Sequence, residues 1–349
     1  MTGPSSPGRP ALPAALTMGE PAGIGPDITL RAWAGRAGNG VGPFFVLGDG
    51  RVMAERAKLL GLAVPIREIG APEETLAHFA GALPVLPVPC PEVVPGEPRG
   101  ETAAAVIAAI EEAVRLTLAG RASAVVTNPI AKSVLAREGF PHPGHTEFLA
   151  ELCRRGGVAP RPVMMLAAPV LRAVPVTTHI ALRDVPGALT RELIVQIARI
   201  TVDGLIRHFA VARPRLLFAG LNPHAGEDGL MGHEDEEIVR PAVSELAGEG
   251  IDASGPVSAD TMFHAEARAT YDAAICMYHD QALIPVKTLA FDEAVNVTLG
   301  LAFLRTSPDH GTAFALAGTG RAREASLLAA LALAAGRASG ASGAARALG

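Results

Sequence analysis

The feature that most limits the fold is an alternation. Short runs rich in Val, Leu, Ile or Phe recur along the chain: FFVLG (44–48), AVVTNP (124–129), VMMLA (163–167), RAVPVTTH (172–179), RLLFAG (215–220) and AAICMYHD (273–280). Apolar runs without a polar alternation are the pattern of strands buried on both faces. Longer segments with helical signals lie between several of them. In TRELIVQIARITVDGLIRHFA, Leu193, Ile197 and Ile200 fall at i, i+4 and i+7, Thr190 is placed to cap the start, and Glu192 sits in the first turn. ETAAAVIAAIEEAVRLTLAG reads as a second helix, closed by Gly120. Strands alternating with helices predict an α/β fold with mostly parallel sheets.

Length and composition bound the rest. With 349 residues, 49% of them hydrophobic, and a mean hydropathy of +0.30, the chain can bury a sizeable core and is expected to divide into two domains. No internal repeat or clean linker marks the division. The reading places crossings near residues 130 and 300, giving one domain of 1–130 plus 300–349, with 1–13 as a loose tail, and a second of 131–299. Thirty basic against 35 acidic side chains leave a net charge of −5 without any basic run interleaved with aromatics, so no nucleic-acid partner is expected. Cys90, Cys153 and Cys276 are far apart and form no CxxC pair, which fits a reducing cytoplasm. The apolar stretch ASLLAALALAAG is shorter than the roughly 20 residues a bilayer takes, and the N-terminus has no signal-peptide core, so no membrane role is expected.

Open α/β sheets bind ligands beyond the carboxyl ends of their strands. The polar residues there are TNP after AVV, TTH after RAVPV, LNPHAGE after RLLFAG and YHDQ after AAICM. Three of these ends carry a histidine: His179, His224 and His279. One such histidine is most often structural, but three imidazoles form a set suited to a catalytic divalent ion if the strands bring them together. His145 and Thr146, in PGHTEF, directly precede a helical segment, with Thr146 as its cap or the pair as an anion contact. Lys287, Asn296 and Arg305 are polar points in an apolar, strand-prone stretch and form a receptor type for phosphate or carboxylate. His78 and His208 read as solvated, His233 as the start of a helix with an acidic first turn, and His142, His264 and His310 carry no signal. Gly19, Gly23 and Gly25 lie between a short strand and a helix. Their spacing matches neither a GxGxxG fingerprint nor a GK[ST] loop.

Taken in order, GEPAGIGPD, PGHTEF, VTTH, LNPHAGE, ADTMF, MYHDQ, NVTLGL and RTSPDHGTAF resemble the 4-hydroxythreonine-4-phosphate dehydrogenase family of pyridoxal 5′-phosphate biosynthesis, over roughly residues 14 to 335. The resemblance implies an isocitrate-dehydrogenase-like two-domain α/β/α fold with the active site in the interdomain cleft, and a homodimer whose active sites are shared between subunits. It implies that His179, His224 and His279 hold one divalent ion (Zn, Mg or Co), and that His145, Thr146, Lys287, Asn296 and Arg305 contact a small phosphorylated substrate. All eight residues are intact. It also implies NAD or NADP as oxidant. No fingerprint names the cofactor's residues, and the loops Gly19–Gly25 and Asn222–Gly229 are the places left for it.

The implied reaction is oxidation of 4-phosphooxy-L-threonine at its 3-hydroxyl, then decarboxylation to 3-amino-2-oxopropyl phosphate, one Lewis acid serving both steps. Asp260 and Asp280 are the candidates for orienting a ligand or accepting a proton. The alternatives are a relative acting on 4-phosphoerythronate or 4-phosphothreonate, a metal-dependent hydrolase, and an acyl-phosphate transferase.

Overall fold

The computed structural model describes residues 12–336. The tail expected at the N-terminus lies almost wholly outside them, as does the Gly/Ala/Ser-rich C-terminal end. The chain forms two compact units, one running to Ala159 and resuming at Ala302, the other spanning Pro160–Leu301.

The first unit is built on six parallel strands, β1 (Ala14–Thr17), β2 (Phe44–Gly48), β3 (Ile66–Glu68), β4 (Leu83–Pro87), β5 (Val125–Thr127) and β12 (Arg305–Pro308), in the order β3-β4-β2-β1-β5-β12. Every residue of β1, β2, β5 and β12 is buried. That burial explains why FFVLG and AVV show no alternation. Helices α1 (Gly25–Ala34), α2 (Gly50–Leu59), α3 (Ala103–Leu118), α4 (His145–Leu152) and α8 (Ala325–Ala334) belong to the same unit. At the start of α2, Asp49 accepts from the amides of Arg51 (2.8 Å) and Val52 (3.4 Å), a side-chain cap just past the end of β2. Gly120, at φ +71°, ends the turn after α3 as its sequence position indicates.

The second unit carries β6 (Val163–Ala168), β7 (Leu171–Pro175), β8 (Arg215–Ala219), β9 (Asp252–Val257), β10 (Ala273–Cys276) and β11 (Val295–Leu299), in the order β11-β6-β7-β10-β8-β9. β6 runs antiparallel to both its neighbours and the other pairings are parallel. Its helices are α5 (Arg191–Phe209), α6 (Arg240–Gly248) and α7 (His279–Ala290). Thr190 caps α5, its hydroxyl accepting from Leu193 N at 3.1 Å. The buried stripe of α5 is Ile194, Ile197, Ala198, Thr201 and Leu205, while Leu193 and Ile200 lie half-buried at its margin. Each large aliphatic in that stripe contributes about 1.5–3 kcal/mol of burial. No described helix is long and apolar enough to cross a membrane.

The chain changes unit at 159–160 and 301–302, whereas the sequence reading set the crossings near 130 and 300. The stretch after residue 130 stays with the first unit because α4 buries Phe148, Leu149 and Ala150 and packs on α3.

Candidate metal and anion centres

In the second unit β10 lies between β7 and β8, parallel to both, so the loops leaving these three strands emerge side by side. Each carries one of the histidines singled out above. His179 follows β7, His224 follows β8 and His279 follows β10 as the first residue of α7. His179 and His224 hold left-handed backbone conformations, φ +56° and +53°, which non-glycine residues rarely adopt and which cluster at functional sites. The rings of His179 and His279 are 5.4 Å apart, centroid to centroid. Nδ1 of His279 lies 2.8 Å from a carboxylate oxygen of Asp280, which leaves Nε2 as the ring nitrogen not engaged in that contact. Among the described residues, however, no three His, Cys, Asp or Glu side chains of one chain stand close enough to hold a metal ion. The topology thus brings the trio to one sheet edge, with His179 and His279 paired, and does not close it within a single copy.

Around that edge lie three hollows. One of about 210 Å³ is shared by His179, Tyr278 and His279, and one of about 350 Å³ by His279, Asp280 and Lys287. Asp260 and Asp280 face the third, about 440 Å³ and mostly apolar. Ser258 donates its hydroxyl to Asp260, in the short turn Ala259–Thr261. Lys287 sits on α7 and not on a strand, a correction to the sequence reading. The stripe Ala282, Leu283, Val286 and Ala290 has helical spacing and is buried against β6, β7 and β10, which overrides the β-branched flavour of VKT. Asn296 lies on β11, half-buried.

A second polar cluster in the first unit gathers around Thr127, the last residue of β5. Arg305 opens β12 beside β5, is 4% exposed, and donates from Nη2 to Thr127 Oγ1 at 2.7 Å. Burial lowers its pKa to about 10. His145 is the first residue of α4; Gly144 takes the cap position expected for Thr146, which falls in the first turn. Nε2 of His145 is buried with no hydrogen-bond partner. Burial, reinforced by the positive charges of Arg305 and Lys132, pushes its pKa well down, so the ring is neutral at neutral pH. Lys132 reaches across Gly144, where an added Cβ would stand 3.1 Å from its Nζ. Of the trio grouped by sequence, Arg305 therefore belongs to this cluster, and Lys287 and Asn296 to the other unit.

Two further polar groups lie here, Glu20, which was not singled out from sequence, and Asn128 of the TNP strand end. Glu20, in the GEPAGIGPD loop, is 1% exposed; one carboxyl oxygen accepts from Ala22 N at 3.1 Å, and burial raises its pKa. Asn128 anchors the end of β5 to the end of β1 through Nδ2, which donates to Thr17 O (3.0 Å) and to Thr29 Oγ1 on α1 (2.9 Å). Its place in TNP, just past a strand, was the available signal. The tight fit of Gly19, whose Cβ would come within 2.6 Å of Pro129 O, shows that the glycines serve the close approach of two loops.

A family model described as "Pyridoxal phosphate biosynthetic protein PdxA" matches residues 41–334. The chain belongs to this family. It is 57% identical over 324 residues to a protein of Xanthobacter autotrophicus named 4-hydroxythreonine-4-phosphate dehydrogenase, covering 92% of each chain. A Bradyrhizobium diazoefficiens protein of the same name is 56% identical over 333 residues, 93% of this chain and 96% of that one. Among solved structures, the 4-hydroxythreonine-4-phosphate dehydrogenase of Klebsiella pneumoniae superposes with a TM-score of 0.84 at 35% identity, covering 94% of this chain and 99% of that one. The fold presents the three histidine loops at the carboxyl ends of β7, β8 and β10, as the general rule for such sheets requires, while Arg305 reaches the end of β5 from the start of β12.

Proposed function

We propose that the chain is a 4-hydroxythreonine-4-phosphate dehydrogenase, oxidising 4-phosphooxy-L-threonine at its 3-hydroxyl and releasing CO₂ to give 3-amino-2-oxopropyl phosphate. The observation that carries this reading is the placement of His179, His224 and His279 on three adjacent loops in a chain of this family. Neutral imidazoles suit Zn²⁺ or Co²⁺, and Mg²⁺ is the harder alternative. When bound, such an ion supplies a Lewis acid for the hydroxyl and then for the ketone during decarboxylation. NAD⁺ or NADP⁺ supplies the hydride acceptor.

The chain's own residues bind and orient. Arg305, Thr146 and neutral His145 offer donors for an oxyanion, and Lys287 and Asn296 offer a further cation and amide. Binding energy from the non-reacting end holds the reacting carbon in place. Asp280 fixes the tautomer of His279, and with Asp260 provides the carboxylates able to take a proton from the alcohol.

The active form is a homodimer with shared sites, working in the cytoplasm. Exposed apolar side chains surround every histidine loop: Leu182 (68%) after His179, Leu230 (83%) after His224, and Ile284 (61%) and Phe291 (68%) on or just beyond α7. A surface of that kind favours a second copy, which would also complete the histidine set. The three cysteines are buried and free, in keeping with a reducing compartment.

The test is nicotinamide reduction at 340 nm by purified protein with 4-phosphooxy-L-threonine, with and without a chelator, beside 4-phosphoerythronate and 4-phosphothreonate. Chelator-sensitive turnover of the amino acid phosphate is the expected result. Turnover of the sugar-acid phosphates alone would move the substrate assignment while leaving the histidines in place. Turnover without an oxidant would indicate hydrolysis and overturn the reading.

A further inference from the structure

Asp235 is completely buried, and no Lys or Arg among the described residues pairs with it. Its carboxylate is directed instead at the loop that carries His224. Oδ1 accepts from Leu221 N at 2.7 Å, and Oδ2 accepts from Asn222 N at 3.0 Å and from Asn222 Nδ2 at 3.1 Å. Burying an anion without a counter-cation is costly, and these three donors recover only part of that cost.

The loop so held would not keep its shape on local preference. His224, Ala225, Glu227 and Asp228 all have positive φ (+53°, +52°, +43° and +54°), with Gly226, Gly229 and Gly232 left-handed among them. Packing leaves little slack: a Cβ on Gly220 would stand 2.7 Å from Ala225 Cα and 3.1 Å from Asp235 Oδ1, and one on Gly226 would stand 3.0 Å from Gly232 O. Asp235 is delivered there by an unusual turn, Asp235–Val239, in which the amide of Arg240 bonds back five residues to Asp235 O. Turns of this π type are rare and concentrate at functional positions.

We propose that Asp235 is a positioning residue for His224: it clamps Leu221 and Asn222 so that the strained loop presents the imidazole beyond β8 for metal ligation. The inference rests on the metal reading of His224 given above. In sequence Asp235 is one acid in the run HEDEE and was grouped with a helix's first turn; its burial separates it from the half-buried or exposed acids beside it.

The experiment uses the full-length protein, stripped with a chelator and titrated with Co²⁺. Affinity and the visible Co²⁺ spectrum are the readouts, and the melting temperature is the control for folding. Asp235→Asn keeps the shape of the side chain but cannot accept at both oxygens. It is expected to weaken Co²⁺ binding by about 10- to 100-fold, with an altered spectrum and a melting temperature within a few degrees of the parent. Asn222→Ala, which removes one of the three donors, is expected to give a smaller loss in the same direction and serves if the Asp235 variant does not fold. His224→Ala separates the two levels. If it abolishes Co²⁺ binding while Asp235→Asn and Asn222→Ala keep the parent affinity and spectrum, the positioning role is refuted and the metal reading stands. If His224→Ala binds Co²⁺ like the parent, the metal reading fails and takes the positioning role with it.

Discussion

Arg56 and Asp27 offer the most demanding test of the energetic argument. Arg56, on α2, is 3% exposed, and Asp27, on α1, is 0% exposed. The guanidinium donates to the Asp27 carboxylate and, at 3.0 Å each, to the carbonyls of Gly23 and Pro21 in the GEPAGIGPD loop. The other oxygen of Asp27 accepts from Gly318 N at 2.7 Å. Arg56→Met keeps the hydrocarbon stem but leaves a buried carboxylate with one donor, and it removes the donors from two loop carbonyls. Breaking one side of a buried ion pair costs about 3–5 kcal/mol, and the stranded carbonyls add to that, so a loss of about 4 kcal/mol or more is expected. Arg56→Lys should recover little of it, because one ammonium cannot reach three acceptors in a fixed fork. The chain's single tryptophan, Trp33, is buried on α1, so its fluorescence in a urea titration reports the unit concerned. With a urea slope of about 3 kcal/mol/M, the midpoint should fall by more than about 1 M. A shift under about 0.3 M, equivalent to less than about 1 kcal/mol, would refute the claim that this pair holds the loop.

Three further outcomes are expected. The pKa of His145 is held below the ordinary histidine value of about 6.5, so the stability its neutral form contributes is complete above that pH and is lost as pH falls through the folded-state value. His145→Gln should therefore flatten the acid-side decline in Trp33-monitored stability, and an unchanged pH profile would count against the assignment. Arg305→Lys keeps a charge but loses the planar fork that bonds Thr127; KM for the phosphorylated substrate should rise at least about tenfold in steady-state kinetics, and an unaltered KM would remove Arg305 from the anion site. On the proposed dimer, Ile284→Asp combined with Phe291→Asp should give monomers in sedimentation experiments, because each exposed apolar side chain that a second copy would bury, worth about 1.5–3 kcal/mol, is replaced by a charge. A dimer that persists at nanomolar concentration would rule out that surface.

What could be read from sequence divides along physical lines. The strands FFVLG and AVV were legible because burial on both faces leaves an uninterrupted apolar run, and VMMLA and RLLFA because their runs stay apolar although Met164 and Leu217 are only half-buried. Thr190 was legible because a side-chain cap is a local device. Lys287 was misplaced because VKT has strand chemistry, although Ala282, Leu283, Val286 and Ala290 already carried the helical period. The first crossing was set too early because no linker marks it and because α4 is tied to α3 by side-chain packing, which composition does not display. The neighbourhood of His179, His224 and His279 depends on β10 entering between β7 and β8, a matter of topology that spacing alone does not encode. Asp235 was hidden for the opposite reason. One buried acid among several solvated ones looks the same in a string of letters.

The interrupted course of the first unit has a consequence for how the protein is made. In that unit the strand beside β5 is β12, residues Arg305–Pro308, whereas the second unit is a single uninterrupted stretch among the described residues, Pro160–Leu301. On a ribosome the unit begun first is thus the last that can be finished, and the inserted unit can collapse while its host still lacks β12. Until Arg305 emerges, β5 offers an unpaired rim to neighbouring nascent chains, and Thr127 lacks the guanidinium that its hydroxyl accepts from. Chains arrested shortly before that point should already contain the histidine edge yet be the ones most in need of a chaperone.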